Sequence, residues 1–104
     1  MKEQQPKHYQ QVSKYHPQFM DAVERLGEVT KSSGPLSLRD AELIQLAASI
    51  AIRSEGATHS HTRRALEQGA STEEIRHTVL LLANTIGFPA IMAGMSWVND
   101  VLDQ

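Results

Sequence analysis

Hydrophobic positions recur at helical spacing along most of the chain, and no segment alternates in the manner of a strand. The first such segment follows His16 and Pro17, because proline suits a first helical turn, and it ends at a Ser-Ser-Gly-Pro turn signal over 32–35. Its apolar positions are Phe19, Ala22, Val23, Leu26 and Val29. Residues 1–15 are polar and predict an arm or a short helix, so the main domain is expected over 16–104.

A second helix is predicted from its N-cap Ser37 to about Ser54. Its broad apolar stripe, which indicates burial on most of the circumference, comprises Leu43, Ile44, Leu46, Ala47, Ile50 and Ala51. Gly56 interrupts the pattern, and a third helix is predicted over 59–68 with Gly69 in the left-handed conformation at its end.

Two further helices complete the predicted fold. Ser71 and Glu74 form a capping box, so a fourth helix is expected to begin there and to continue to the Gly-Phe-Pro turn at 87–89. The fifth helix is predicted over 90–102. These patterns together predict an all-α protein.

Composition narrows the possible partners. The chain has 104 residues, and ten Lys and Arg stand against twelve Asp and Glu, so the formal net charge of −2 argues against nucleic-acid binding. Apolar stretches such as 78–83 are far shorter than the roughly 20 residues of a membrane span, and residues 1–7 are too polar for a signal peptide. We therefore expect a soluble, cytoplasmic protein that acts on a small molecule and has no membrane partner.

The last predicted helix mixes small side chains with large apolar ones. Its small residues are Ala90, Ala93, Gly94 and Ser96. Small residues let helices approach closely, and apolar side chains on several faces exceed what so short a chain covers by itself. This pattern predicts a homo-oligomer with the helix near a subunit interface, and ordinary core packing explains it equally well.

Two of the five histidines, His59 and His61, lie two residues apart. Helical side chains at this spacing point about 200° apart, so the two rings are not expected to face one site. A pair of metal-binding histidines prefers a spacing of four, and a metal here would need Glu55, His77 or a second subunit for further ligands. The sequence therefore favours no metal and a solvated segment.

Glu42 lies just before the apolar run of the second predicted helix. One interpretation is a solvated carboxylate that stabilises the positive end of the helix dipole. In the other interpretation it turns inward and orients the ring of His61 on the next helix, so that the two groups move protons. Periodicity alone favours the first interpretation, and a histidine at such a place is more often a surface or core residue.

A distinctive pattern is formed by three segments, namely Asp40 to Ile44, His61 to Ile75 and Gly87 to Ala90. Their residues, order and spacing resemble the carboxymuconolactone decarboxylase and alkylhydroperoxidase (AhpD-like) family. The resemblance extends from Leu38 to Pro89. It implies an AhpD-like helical domain of five to six helices that assembles into a trimer or hexamer.

The peroxidase branch of that family uses two cysteines, to which a Glu and a His relay protons. By this resemblance Glu42 and His61 take the Glu and His positions, whereas Ser54 and Ala57 stand where the cysteines belong. The chain has no cysteine, and a serine hydroxyl neither forms a disulfide nor is oxidised by a peroxide. Thiol peroxidase activity is therefore disfavoured.

The decarboxylase branch also lacks the paired cysteines and is thought to act on a small carboxylated lactone without metal or organic cofactor. The resemblance thus implies a cofactor-free acid-base lyase with Glu42 and His61 as its catalytic residues. Decarboxylation also needs groups that hold substrate carboxylates, for which His59 and Arg64 are the candidates. The resemblance adds Glu55 as a second acidic candidate in the substrate-binding set, because members of both branches often have a Glu there. Arg64 as a solvated helix charge is the simpler alternative for that residue. The alternative function is a non-catalytic family member that binds a ligand or serves as an oligomeric scaffold.

Overall fold

The computed structural model describes residues 6–104, and every regular element within them is a helix, which confirms the all-α class. Residues 1–5 of the expected arm lie outside the described part. The helices are α1 (Lys7–Tyr15), α2 (Pro17–Lys31), α3 (Leu38–Ala51), α4 (Glu55–Glu67), α5 (Thr72–Leu80), α6 (Ala83–Ile86) and α7 (Phe88–Leu102). No helix of residues 6–104 combines the length and apolar character needed to cross a bilayer.

The chain divides into two compact units, of which the first ends at Pro35. It contains α1 and α2, which pack against each other, and the Tyr9 hydroxyl donates a 2.8 Å hydrogen bond to Glu24. The segment before Pro17 therefore forms a short helix, one of the two predicted alternatives. Met20 is the buried side chain of α2, whereas its exposed large apolar residues are Phe19, Val23, Leu26 and Val29.

The second unit, from Leu36 to Gln104, contains α3 to α7. Helix α4 packs against α3 and α7, and α5 also packs against α7. The fully buried large aliphatic side chains of this core are Leu46, Ile50, Ile75, Val79 and Val98. Burial of each contributes about 1.5–3 kcal/mol relative to exposure, so these side chains hold α3, α5 and α7 together. Ala65 is the buried residue of the same cluster on α4.

Side chains cap the helices where the sequence predicts caps. The Ser37 hydroxyl accepts the Asp40 backbone N–H at 3.0 Å and begins α3. Ser71 and Glu74 form the full capping box of α5, since each side chain accepts the other residue's backbone N–H. Gly69 ends α4 with a φ of 91°, the left-handed conformation that was expected there.

The predicted start of the third helix at His59 is wrong. Helix α4 begins one turn earlier, at Glu55, because the Ser54 hydroxyl accepts the Ala57 backbone N–H at 3.3 Å. Gly56 consequently lies in the first helical turn and does not interrupt the helix.

The prediction of a single fourth helix that continues to the Gly-Phe-Pro turn is also wrong, since α5 ends at Leu80 and α6 begins at Ala83. The physical reason is a tighter turn, in which the Leu82 N–H donates to the Val79 carbonyl three residues back. Helix α7 begins at Phe88, two residues before its predicted start.

Helix α3 is buried on a narrower face than its apolar stripe predicts. Leu46 and Ile50 are fully buried, whereas Ile44 is 54% exposed and Ala51 is also exposed. Burial on most of the circumference is therefore wrong, because only one side of α3 faces the other helices of its unit.

Gly94 of α7 lies against Ile50 of α3. A Cβ atom built on Gly94 would meet the Ile50 Cγ2 atom at 2.7 Å, so the two helices approach closely only because the side chain is absent. Ordinary core packing thus accounts for Gly94. The homo-oligomer stays a prediction, and exposed apolar residues of α7 include Phe88 and Met92.

Candidate functional site

Helices α3 and α4 bring Glu42 and His61 together, as the inward-turned interpretation of Glu42 predicts. The Glu42 Oε1 atom lies 2.9 Å from the His61 Nδ1 atom, which is hydrogen-bond distance. Glu42 belongs to the first half of α3, and His61 lies in the middle of α4. We call these two residues the inner pair.

The inner pair is largely removed from water. The Glu42 side chain is 4% exposed and the His61 side chain 19% exposed. The interpretation of Glu42 as a solvated carboxylate is therefore wrong. An isolated carboxylate is costly to bury, and a hydrogen bond from the imidazole compensates for part of that cost.

The contact between the two side chains assigns different roles to the two ring nitrogens of His61. An ionised carboxylate only accepts hydrogen bonds, so with Glu42 ionised it is Nδ1 of His61 that carries the hydrogen and donates it. Among the described residues, no side chain pairs with Nε2 of His61. This second nitrogen accepts a proton in the neutral ring and releases one from the charged ring, which is the chemistry of a proton carrier.

Buried hydroxyl groups join the same two helices. The Ser49 and Thr58 hydroxyl oxygens are 3.0 Å apart, and both residues are nearly or fully buried. Thr58 and Thr62 also donate to backbone carbonyls one turn back in α4 at 2.7 Å each. The contact between Ser49 and Thr58 joins α3 to α4 and thereby helps to position the inner pair. Sequence reasoning missed these buried hydroxyl groups, although small polar residues at i and i+4 of one helix are a usable signal.

A second group of ionisable residues lies between α4 and α7. The His59 Nε2 atom is 2.9 Å from the Asp100 Oδ2 atom and 4.0 Å from the Glu55 Oε2 atom. We call Glu55, His59 and Asp100 the outer cluster. Because His59 contacts α7 while His61 contacts α3, the prediction that the two rings face different sites is confirmed. Asp100 was missed, since nothing in the sequence relates it to a helix so far back in the chain.

Sequence comparison assigns the chain to a family. A family model described as Carboxymuconolactone decarboxylase family matches residues 17–100. The chain belongs to this family. The match includes the inner pair and the outer cluster, and it confirms the resemblance found in the sequence. Comparison with curated proteins gives no match.

Two positions distinguish this carboxymuconolactone decarboxylase family member from the cysteine-containing pattern of the peroxidase branch. Ser54, which by the resemblance takes the first cysteine position, is the N-cap of α4, and its hydroxyl accepts a hydrogen bond from the Ala57 N–H. Ala57 takes the second position by the same resemblance, and its side chain offers no nucleophile. Both residues thus belong to the start of a helix, and neither supplies thiol chemistry.

Arg64 is the cationic member of the predicted substrate-binding set. It lies one helical turn after His61 and is exposed, and its guanidinium makes no ion pair with a described residue. Residues three apart on a helix are neighbours on its surface, so Arg64 and His61 share one side of α4. Of the other two candidates, His59 contacts both Glu55 and Asp100.

Proposed function

We propose that this protein is a cofactor-free acid-base lyase of the carboxymuconolactone decarboxylase type, acting on a small carboxylated lactone or carbonyl compound. The observation that carries the proposal is the 2.9 Å contact between the buried Glu42 carboxylate and Nδ1 of His61. A buried carboxylate is rarely kept for stability alone, because the cost of its desolvation offsets much of the attraction to its partner.

The proposed reaction is a decarboxylation in which His61 supplies the proton. The bond between the substrate carboxylate and its carbon breaks, carbon dioxide leaves, and the electron pair remains on carbon as an enolate with the adjacent carbonyl. The protonated His61 ring gives the Nε2 proton to that carbon, a C–H bond forms, and water then reprotonates the ring. Glu42 holds Nδ1 throughout and stabilises the charged ring. Because the electron pair of the broken bond forms the new C–H bond, the reaction requires no oxidant or reductant.

Arg64 is proposed to hold a substrate carboxylate. Its guanidinium presents paired donors that match a carboxylate, and its position one turn from His61 suits a substrate bridging the two residues. Glu55 and His59 remain predictions as substrate contacts, and the proposed proton transfer does not depend on them. The trimeric or hexameric assembly and the cytoplasmic location are parts of the same proposal.

The test is turnover of carboxymuconolactone and related carboxylated lactones, followed by release of carbon dioxide. We expect His61→Gln to lower kcat by about 100-fold or more, the usual contribution of general acid-base catalysis. His77→Gln is the matched control, because His77 is an exposed histidine on α5, and it should behave as the natural protein does. Arg64→Gln should mainly raise KM.

Two outcomes would overturn this assignment. Unchanged turnover in the folded His61→Gln variant excludes the role of the ring. Tight binding of such a lactone by calorimetry, with no turnover by the natural protein, would favour the non-catalytic ligand-binding alternative. A peroxide-consumption assay is expected to show no turnover, and measurable consumption would contradict the reasoning from the absent thiols.

A further inference from the structure

We propose that the outer cluster binds a divalent transition-metal ion, for which Zn²⁺ is the probe. Glu55 and His59 lie one turn apart on α4, and Asp100 reaches the same imidazole nitrogen from α7. One ligand atom from each of the three residues can be chosen so that all lie within 4.8 Å of one another. The inference concerns a site separate from the inner pair and does not rest on the proposed reaction.

The distances are close to those of a metal centre. Nitrogen and oxygen ligands lie about 2.0–2.2 Å from Zn²⁺, so two ligands of one ion are at most about 4.4 Å apart. The separations at His59 Nε2 are 2.9 Å to Asp100 and 4.0 Å to Glu55. Small rotations of exposed side chains therefore suffice to place an ion among the three atoms.

The charges of the outer cluster favour a cation. No lysine or arginine among the described residues pairs with the Glu55 or Asp100 carboxylate, whose ion-pair partner is in both cases His59. Two carboxylates around one imidazole leave the cluster negative even when the ring is protonated. A metal ion in place of the ring proton neutralises both carboxylates at once.

The ligand set also indicates the class of metal. Carboxylates alone suit Mg²⁺ and Ca²⁺, whereas an imidazole nitrogen favours zinc and other first-row transition metals. The side chains are 60% exposed at Glu55, 57% at Asp100 and 25% at His59, so an ion can enter from solvent and keep water in a fourth position. The sequence favours no metal because His59 and His61 lack the spacing of four that a metal-binding pair prefers. Asp100 joins His59 from a helix that is distant along the chain, which only the structure shows.

The experiment is calorimetric titration of chelator-treated protein with Zn²⁺ in the presence of excess Mg²⁺. We expect one ion per chain. His59→Gln and Asp100→Asn should each lower the affinity by at least about tenfold, since even the loss of an outer hydrogen-bond partner of a ligand costs about that much. The matched controls are His77→Gln and Asp103→Asn, an exposed histidine and an exposed carboxylate outside the cluster.

Thermal unfolding gives a second readout. Because an ion bound by α4 and α7 stabilises the folded chain, Zn²⁺ should raise the Tm of the natural protein and of both controls, but not that of His59→Gln. Glu55→Gln is a milder ligand variant, since Glu55 is exposed, and it keeps the test valid if another variant fails to fold. The proposal is overturned by absence of binding, by unchanged affinity in folded ligand variants, or by loss of binding in His77→Gln.

Discussion

The inner pair and the outer cluster contain the same hydrogen-bonded group in two different environments. Each has an imidazole nitrogen 2.9 Å from a carboxylate oxygen, and the two histidines lie two residues apart on α4. The Glu42 side chain is 4% exposed, whereas the Asp100 side chain is 57% exposed. The difference between the two sites is therefore burial and not contact length.

Burial changes what the same contact does. In water-exposed surroundings the attraction between charges is weak and screened, and such pairs contribute at most about 1 kcal/mol. In buried surroundings the two partners depend more strongly on each other, because a hydrogen bond that is lost there is not readily replaced by one to water. The inner pair is thus held in a buried, fixed arrangement, whereas the exposed carboxylates of the outer cluster can rearrange.

The largest expected effect comes from removing the carboxylate of each site in turn. Glu42→Ala should lower the free energy of unfolding by about 3 kcal/mol, since it leaves a cavity and an unpaired imidazole N–H. Asp100→Ala should lower it by at most about 1 kcal/mol. Urea denaturation followed by circular dichroism measures both values.

Double-mutant cycles sharpen this first prediction. The coupling energy between Glu42 and His61 should clearly exceed that between Asp100 and His59. Equal coupling energies at the two sites would show that burial does not separate them.

The next effect tests whether the two sites depend on different helix contacts. Gly94→Ala requires the Ile50 side chain or α7 to shift, and overpacking of this kind lowers the free energy of unfolding by about 1–3 kcal/mol. The outer cluster contains a residue of α7 and the inner pair does not, so NMR signals of the His59 ring should shift more than those of the His61 ring.

Gly27→Ala is the control for this substitution. Gly27 lies inside α2, and a Cβ there would meet no atom within 4 Å. The change should raise stability by about 0.5–1 kcal/mol, because alanine favours the helix. Equal shifts of the two histidine rings in Gly94→Ala would refute the separate dependence.

A smaller effect concerns the two residues with positive φ that flank α4, the helix that carries both His59 and His61. Before α4, Arg53 has a φ of 61°, and after it Gly69 has a φ of 91°. Arg53→Gly should raise the free energy of unfolding by about 1 kcal/mol, because glycine adopts this conformation without strain, and Gly69→Ala should lower it by a similar amount. Chemical denaturation at one pH compares the variants. A destabilised Arg53→Gly would mean that the arginine side chain stabilises the loop before both sites.

The smallest effect extends the comparison to an exposed carboxylate that is strongly hydrogen-bonded. The Ser71 backbone N–H, which donates to Glu74, together with the nearby Arg39, lowers the pKa of the Glu74 carboxyl below its ordinary value of 4.5. A lowered pKa stabilises the fold above the unfolded value, and this contribution is lost as the pH falls below 4.5 through the folded value.

Glu74→Gln provides the measurement of this pH effect. The variant lacks the titrating group, so its stability should fall less than that of the natural protein between about pH 6 and about pH 3. Thermal unfolding at the two pH values compares them. A parallel loss in both proteins would contradict the assignment of the pKa shift to folding.

Local signals in the sequence account for most of the helices. Ser37, the capping box of Ser71 and Glu74, and Gly69 each act within one turn, so their effects can be predicted without the rest of the fold. The errors in the predicted helix bounds come from local hydrogen bonds that compete with the regular helical pattern. The Ser54 cap starts α4 earlier than periodicity indicates, and the tight turn at Leu82 interrupts a run of good helix formers.

The sequence by itself determined the all-α class through its helical periodicity, the absence of thiol chemistry through its composition, and the family through the motif of residues 38–89. It offered the pairing of Glu42 with His61 as one of two interpretations, and the structure decided between them. Only the tertiary structure decided that Glu42 is buried and that Asp100 joins His59. Burial and contacts between distant segments depend on how α3, α4 and α7 pack in three dimensions, and hydrophobic spacing within single helices does not encode that arrangement.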